Sequence, residues 1–199
     1  MARLQLNKSS LAREAAHLKT YERFLPSLDL KRQQLMAERA KAVLQVATLQ
    51  REVESLARRV GEDIPMLGNR DINLGGLVRL TDYQLGEENI VGTRVPALDR
   101  ISVQIRSYSP MTLPHWVDNV TGLLRDMVEA RLRVQVARKR VELLSKAVDT
   151  ITQRVNLFEK VLIPTARANI KKIRVYLNDE QTSAVTRSKL AKRKRATRP

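Results

Sequence analysis

The feature that most limits the folds open to this chain is a pair of long heptad seams, one in each end of the sequence. In both seams, apolar residues recur at alternating steps of three and four, which is the 3.5-residue repeat of coiled-coil helices. Apolar residues occupy 13 of the 17 positions from Leu4 to Val60 and all 14 positions from Trp116 to Leu162. The repeat predicts that each arm is one long helix packed against another helix.

Glycine separates the two arms. Six of the seven glycines lie between residues 61 and 92, and after residue 115 only Gly122 remains. Because glycine favours turns and weakens helices, this distribution indicates helix, irregular middle and helix. Within the middle, residues 77–83 are β-prone and residues 101–106 alternate apolar and polar side chains, while residues 91–96 suit an extended piece with a turn. These segments predict a small antiparallel hairpin.

We therefore predict a mainly α fold, a long antiparallel two-helix coiled coil with a small β-hairpin region in the middle of the chain. The expected divisions are an N-terminal helix 1–60, a hairpin or irregular region 61–115, a C-terminal helix 116–185 and a basic, disordered tail 186–199. In this arrangement residue 60 lies near residue 116, and the longer second arm overhangs the first. A parallel homodimer remains the alternative, because periodicity does not exclude it.

Two prolines interrupt the helical pattern. After Leu162 the second seam slips by one residue and continues from Ile163, and Pro164 lies at that slip. A local helix irregularity is expected there. Pro26 lies inside the first seam, where it removes a backbone donor. We interpret Pro26 as a tolerated kink, with a functional bend as the alternative.

Charge follows the same division of the chain. The formal net charge is +16, and residues 1–60 carry +6, residues 61–115 carry −2 and residues 116–199 carry +12. Six of the last 11 residues are basic. Such a tail could bind nucleic acid phosphates, act as a targeting patch or be a solvated disordered end. A basic helical rod also suits insertion into an acidic protein sleeve.

Motifs for chemistry are nearly absent from the sequence. With no cysteine, disulfides, cysteine-based zinc sites and thiol nucleophiles are excluded. His17 and His115 lie far apart in sequence, whereas a metal site needs clustered donors. Gly75-Gly76 suits a hairpin turn better than a phosphate cradle, and Asp179-Glu180 suits a solvated face. We expect no catalytic, cofactor-binding or metal-binding residue and no cofactor, and the chain is not expected to be an enzyme.

Targeting segments are also missing from the pattern. Nowhere do 18 apolar residues run together, and the first residues lack the apolar core of a secretory signal. The expectation is a basic protein of the cytoplasm.

Three separated segments resemble the D-subunit family of the V-type (vacuolar and archaeal-type) ATPases. They are Leu6-Asn7-Lys8 with Leu11 and the stretch 30–35, then residues 89–96, then Arg154-Val155-Asn156-Leu157-Phe158-Glu159 through Ile163-Pro164. The resemblance runs over nearly the whole chain in the right order. The sequence departs from the family pattern at Pro26, at Phe158 in place of leucine, and at residues 181–184, where the family has an acidic stretch.

The resemblance implies a central rotor shaft that transmits torque between the ATP-hydrolysing or ATP-synthesising ring and the membrane ion-translocating rotor. Its implied partners are the ring of catalytic A and nucleotide-binding B subunits, the small F subunit, and a funnel-shaped adaptor of the membrane rotor. It implies a cytoplasmic position at the membrane periphery, with no direct membrane insertion and no nucleic acid partner. The alternatives are a basic coiled-coil protein that binds nucleic acid and a scaffold without a motor.

Overall fold

The computed structural model describes residues 4–68, 74–108 and 114–196. Helix α1 spans Lys8–Asp63 and is followed by a short 3-10 turn at Pro65–Gly68. Strands β1, Val78–Ile90, and β2, Thr93–Ile105, form an antiparallel two-stranded sheet. Helix α2, Val117–Leu157, leads through a π-helical turn, Phe158–Leu162, into helix α3, Ile163–Ala196. This order of elements confirms the predicted mainly α fold with a central hairpin.

The chain divides into two compact units, and each contains part of both arms. We call residues 1–32 with 150–199 the terminal unit and residues 33–149 the central unit. In the terminal unit, Glu14 and Glu22 of α1 contact Asn169 and Arg167 of α3 respectively. In the central unit, Leu49 lines one groove with Ala137, and Val53 lines another with Val134. In both units, residue numbers increase along α1 as they decrease along the facing helix. The pairing is therefore antiparallel and within one chain.

The register of this pairing differs from the expectation. The sequence analysis expected residue 60 to lie near residue 116. Because Val53 shares a groove with Val134, the observed register does not bring these two residues together. At about 1.5 Å per residue, continuing the observed register leaves roughly two turns of α2 beyond the end of α1. Burial supplies the physical reason, because Val117 and Val120 at the start of α2 are buried like Ile64 and Leu77 of the connecting segments. These turns of α2 are therefore buried although they lie beyond the end of α1.

Burial follows both predicted seams. Every seam position of α1 is at least half-buried except Asn7, whose side-chain carbonyl instead caps the helix by accepting the backbone N–H of Ser10 at 2.7 Å. All positions of the second seam are at least half-buried, and Leu144 is 0% exposed. Beyond the slip, the seam continues in a row of buried residues, Ile163, Ala166, Ile170 and Ile173. The heptad pattern therefore identified the core of both helix pairs.

A π-helical turn accounts for the slip in the second seam. The backbone N–H of Ile163 donates to the carbonyl of Phe158, five residues back. One extra residue in a turn moves the apolar row from Leu162 to Ile163 without changing its face. A proline ring in a regular helix clashes with the carbonyl four residues earlier, and a wide turn before Pro164 relieves that clash. The irregularity expected at Pro164 is confirmed.

The end of the chain is helical over the residues that the structure describes. Residues 186–196, assigned by the sequence analysis to a disordered tail, continue α3 with every side chain exposed, and residues 197–199 lie outside the described residues. The sequence explains the helix, since residues 165–198 contain no glycine or proline and are rich in alanine, lysine and arginine. From Asn178 onward every described side chain is exposed, which agrees with the expected overhang.

The hairpin is longer than the two β-prone segments suggested, with 13 residues in each strand. Its connection is the two-residue turn Val91–Gly92, whose φ angles of 51° and 81° are those of a tight hairpin turn. Gly75-Gly76, expected as a hairpin turn, instead forms a separate turn before β1. There the N–H of Leu77 donates to Leu74 at 3.3 Å.

Candidate functional site

The residues that could carry chemistry lie apart from one another. The His17 ring lies 6.0 Å from the Tyr21 ring on α1, and His115 is exposed just before α2. Asp179 and Glu180 are exposed on α3. Within residues 4–68, 74–108 and 114–196, no three His, Cys, Asp or Glu side chains are grouped so that they could hold a metal ion. No helix in those same ranges is long and apolar enough to cross a membrane.

Positive charge is concentrated in the terminal unit. That unit has 20 basic and 6 acidic residues, net +14, whereas the central unit has 17 and 15, net +2. Most of its basic side chains are exposed, so they attract anionic surfaces at a range that salt shortens. The terminal unit is therefore the candidate surface for an acidic partner.

The last part of α3 is the most exposed piece of the terminal unit. Six basic residues lie between Arg187 and Arg195, and Val185 and Leu190 are exposed as well. The hydroxyls of Thr182 and Thr186 donate to carbonyls one turn earlier, a pattern that slightly weakens a helix. Most of the stability of a protein helix comes from tertiary packing, and the exposed end of α3 buries no side chain. Contact with another molecule would stabilise it.

The hairpin covers one flank of the helix pair in the central unit. Arg140 of α2 binds Glu88 of β1 at 2.8 Å, and Val95 of β2 is buried. Residues 96–98 of β2 line a cavity of about 250 Å³ together with Gln45 of α1 and Arg133 of α2. Strand β2 therefore lies along the helices, and β1 is largely exposed.

The opposite flank of this helix pair has no hairpin over it. In the heptad, Gln45 and Arg133 precede the seam positions, whereas Gln50 and Arg138 follow them, so the two sets lie on opposite flanks. The second flank contains a groove of about 340 Å³. Its lining residues are Gln50, Val53, Glu54, Arg131, Val134, Gln135 and Arg138.

A second apolar stripe extends this groove along α1. Met36, Ala40, Val43 and Ala47 recur at steps of four and three on the flank that ends in Gln50, and the first three are exposed. We call this stripe and the groove together the uncovered flank. The sequence analysis missed it because only the seam positions were considered. The signal was an additional apolar row one residue after the seam.

Two clusters of polar side chains make ion pairs or hydrogen bonds on α2. Lys139 and Lys146 bind the carboxylate of Glu142 at 2.9 and 2.6 Å and hold its pKa at about 2. The hydroxyl of Tyr108 donates to the carboxylate of Asp118, and this hydrogen bond raises the pKa of Tyr108 above its ordinary value. The second contact ties the segment after β2 to the first turn of α2.

Comparison with known proteins gives a consistent result over almost the entire chain. Residues 10–193 match the family model that describes the D subunit of ATP synthase. The V-type ATP synthase D subunit of Borreliella burgdorferi is 33% identical over 192 residues, which cover 96% of this chain and 95% of that relative. The V-type ATP synthase D subunit of Chlamydia felis is 31% identical over 198 residues, covering 97% and 94% respectively. The matched region includes both arms, the hairpin and the π turn.

Proposed function

We propose a rotor function on the premise that this chain belongs to the family of ATP synthase D subunits. The chain is the central-stalk subunit of a V-type ATPase or ATP synthase. It transmits torque between the ring that hydrolyses or synthesises ATP and the rotor that moves ions through the membrane. The observation that carries this proposal is the family match over residues 10–193, which includes both arms of the antiparallel helix pairs.

The helix pairs suit a part that transmits force. Twisting one helix against the other would expose seam residues such as Leu144, Val148 and Ile151, which are buried. Exposing apolar surface costs about 25 cal/mol per Å². Torque therefore passes between the helices through packing and needs no reactive group. In the proposed complex the chain is non-catalytic, and ATP chemistry belongs to its partners.

The ring of A and B subunits is the proposed partner of the terminal unit. The net charge of +14 on this unit and its exposed α3 end favour a socket with an acidic lining. Opposite charge would speed the encounter and align the helices before close packing forms. The proposed complex lies on the cytoplasmic side of the membrane, with this chain peripheral to it.

The small F subunit is the proposed partner of the uncovered flank. Exposed apolar side chains at Met36 and Val43 offer a surface that a partner would bury. Arg131, Gln135 and Glu54 at the groove supply a polar rim that fixes orientation. The funnel-shaped adaptor of the membrane rotor is a further proposed partner, supported by the family alone.

Purification of the assembled complex with one charge added to this chain tests these assignments. Val43 and Leu85 are both 48% exposed, the first on the uncovered flank and the second on the outer strand of the hairpin. Val43→Asp is expected to release the F subunit from the purified complex, and Leu85→Asp is expected to retain it. Retention in both variants would contradict the docking surface. If the unchanged chain does not purify with a ring of ATPase subunits, the rotor function itself is wrong.

A further inference from the structure

Both helices of the terminal unit contain a backbone irregularity, and the two irregularities lie within about two turns of each other. The Tyr21 ring of α1 meets the Phe158 ring edge-on at 5.4 Å, and Glu22 binds Arg167 at 2.7 Å. Pro26 lies five residues after Tyr21, about 7.5 Å along the helix axis. Because the helices are antiparallel, Pro26 faces residues that precede Phe158, near the end of α2. Pro26 therefore lies within about two turns of the π turn on the facing helix.

Each helix lacks regular backbone hydrogen bonds at its own irregularity. Pro26 has no N–H, so the carbonyl of Glu22 has no donor from the next turn of α1. Pro164 likewise donates no hydrogen bond, and the π turn before it replaces regular helical bonds with a longer one from Ile163 to Phe158. Prolines and π turns are both established causes of local helix bending. They are present here on facing helices.

Side-chain packing of α1 is thin over this stretch, whereas Ile151, Val155 and Ile163 of the facing helix are buried. In α1, no residue between Ser10 and Leu35 is fully buried, and none of the π turn is fully buried. Large apolar side chains are exposed instead, at Phe24, Leu157 and Val161. Few buried side chains on α1 and interrupted hydrogen bonds on both helices together mark a segment that opens at low cost.

We propose that Pro26 and the segment Phe158–Pro164 form a compliant joint, at which the two helices of the terminal unit bend together. The ion pair between Glu22 and Arg167 and the ring contact between Tyr21 and Phe158 cross the joint and keep the helices in register as they bend. The joint is a property of the chain itself and does not depend on the proposed rotor function. If the chain is a shaft, the joint lets its basic end follow a partner surface.

Hydrogen exchange on the full-length, unassembled chain tests the joint. Peptides spanning residues 20–30 and 156–166 are expected to exchange at least tenfold faster than peptides 42–53 and 137–149 of the central unit. Pro26→Ala restores the missing donor and should slow exchange several-fold in both joint peptides, because the helices bend as one. Pro65→Ala, which removes a proline just beyond α1, is the matched control and should leave both joint peptides unchanged.

Two results would overturn the proposal. One is equal protection of the joint and central peptides in the unchanged chain. The other is a Pro26→Ala variant that protects residues 20–30 and leaves residues 156–166 as before, since the two irregularities would then act separately. Neither result bears on co-purification with ATPase subunits, so the joint and the rotor function are tested independently.

Discussion

The central and terminal units use the same two arms, yet they differ in packing and charge. Among the described residues, 13 apolar side chains of the central unit are fully buried, against six in the terminal unit. None of those six belongs to α1. The terminal unit instead has the higher net charge, +14 against +2 for the central unit.

This difference shows that a heptad seam alone does not determine how firmly a helix pair is packed. In the central unit, the hairpin adds a third layer on one flank and contributes Ile90 and Val95 to the core. In the terminal unit, the seam residues of α1 stay half-buried because no described element covers the pair. Stability is therefore expected to be concentrated in the central unit, and charge-driven binding in the terminal unit.

The largest expected effect is on core packing. Leu144→Ala should lower the free energy of unfolding by ~2–5 kcal/mol, because the side chain is fully buried and its removal leaves a cavity. Leu25→Ala, at a half-buried seam position of the terminal unit, should cost clearly less. Lys146→Ala, exposed on α2, is the control with little effect. Thermal and urea unfolding of the three variants measure these stability changes. Equal losses of stability in Leu144→Ala and Leu25→Ala would contradict the difference in packing between the two units.

The second prediction concerns charge in the terminal unit. Deleting residues 189–199 removes six basic side chains and no buried residue of the described part. Association with the proposed ring of A and B subunits should slow by about tenfold at low salt, because electrostatic steering is lost. The rate should also depend less on salt. Stopped-flow association at low and high salt measures both effects, and identical low-salt rates would show that the tail does not steer.

A third prediction concerns strain within the central unit. Val91 has a φ of 51°, a left-handed conformation that is unfavourable for a β-branched side chain. Val91→Asn should stabilise the hairpin by about 1 kcal/mol, since asparagine followed by glycine suits this turn. Hydrogen exchange of β1 and β2 measures the change. Faster exchange in the variant would mean that burial of the valine side chain outweighs the strain.

The smallest expected effect is acid sensitivity at Glu142. Its folded pKa of about 2 lies below the ordinary value of 4.5, so the carboxylate stabilises the folded chain above pH 4.5. That contribution is lost as pH falls through 2. The stability difference between the unchanged chain and Glu142→Gln should therefore narrow between pH 4.5 and 2. Because the carboxylate is exposed to solvent, the change in stability is small, and a difference that widens on acidification would contradict the ion-pair account.

Much of the fold could be predicted because the heptad repeat shows directly which side of each helix is buried against another helix. The repeat located both seams, its one-residue slip located the π turn before Pro164, and the unequal arms implied the overhang of α3. The register of the helices could not be predicted in this way. A heptad pattern is satisfied by any shift of seven residues, so it does not decide that Val53 shares its groove with Val134.

The candidate surfaces were harder to predict from the sequence than the fold. Exposed basic residues were visible as charge, but the uncovered flank depends on where the hairpin packs. Met36 and Val43 belong to an exposed stripe on one flank of the pair, and β2 occupies the opposite flank. Tertiary packing decides which of two flanks remains open, and local sequence contains little information about that choice.

Direct observation of rotation tests the central claim, that this chain is the shaft of a rotary ATPase. The chain contains no cysteine, so Leu85→Cys on the exposed outer strand of the hairpin provides a single attachment point for an optical probe before assembly. With the ring immobilised, addition of ATP should make the probe turn continuously in one direction. A ring that contains this chain and hydrolyses ATP while the probe stays still would contradict the account.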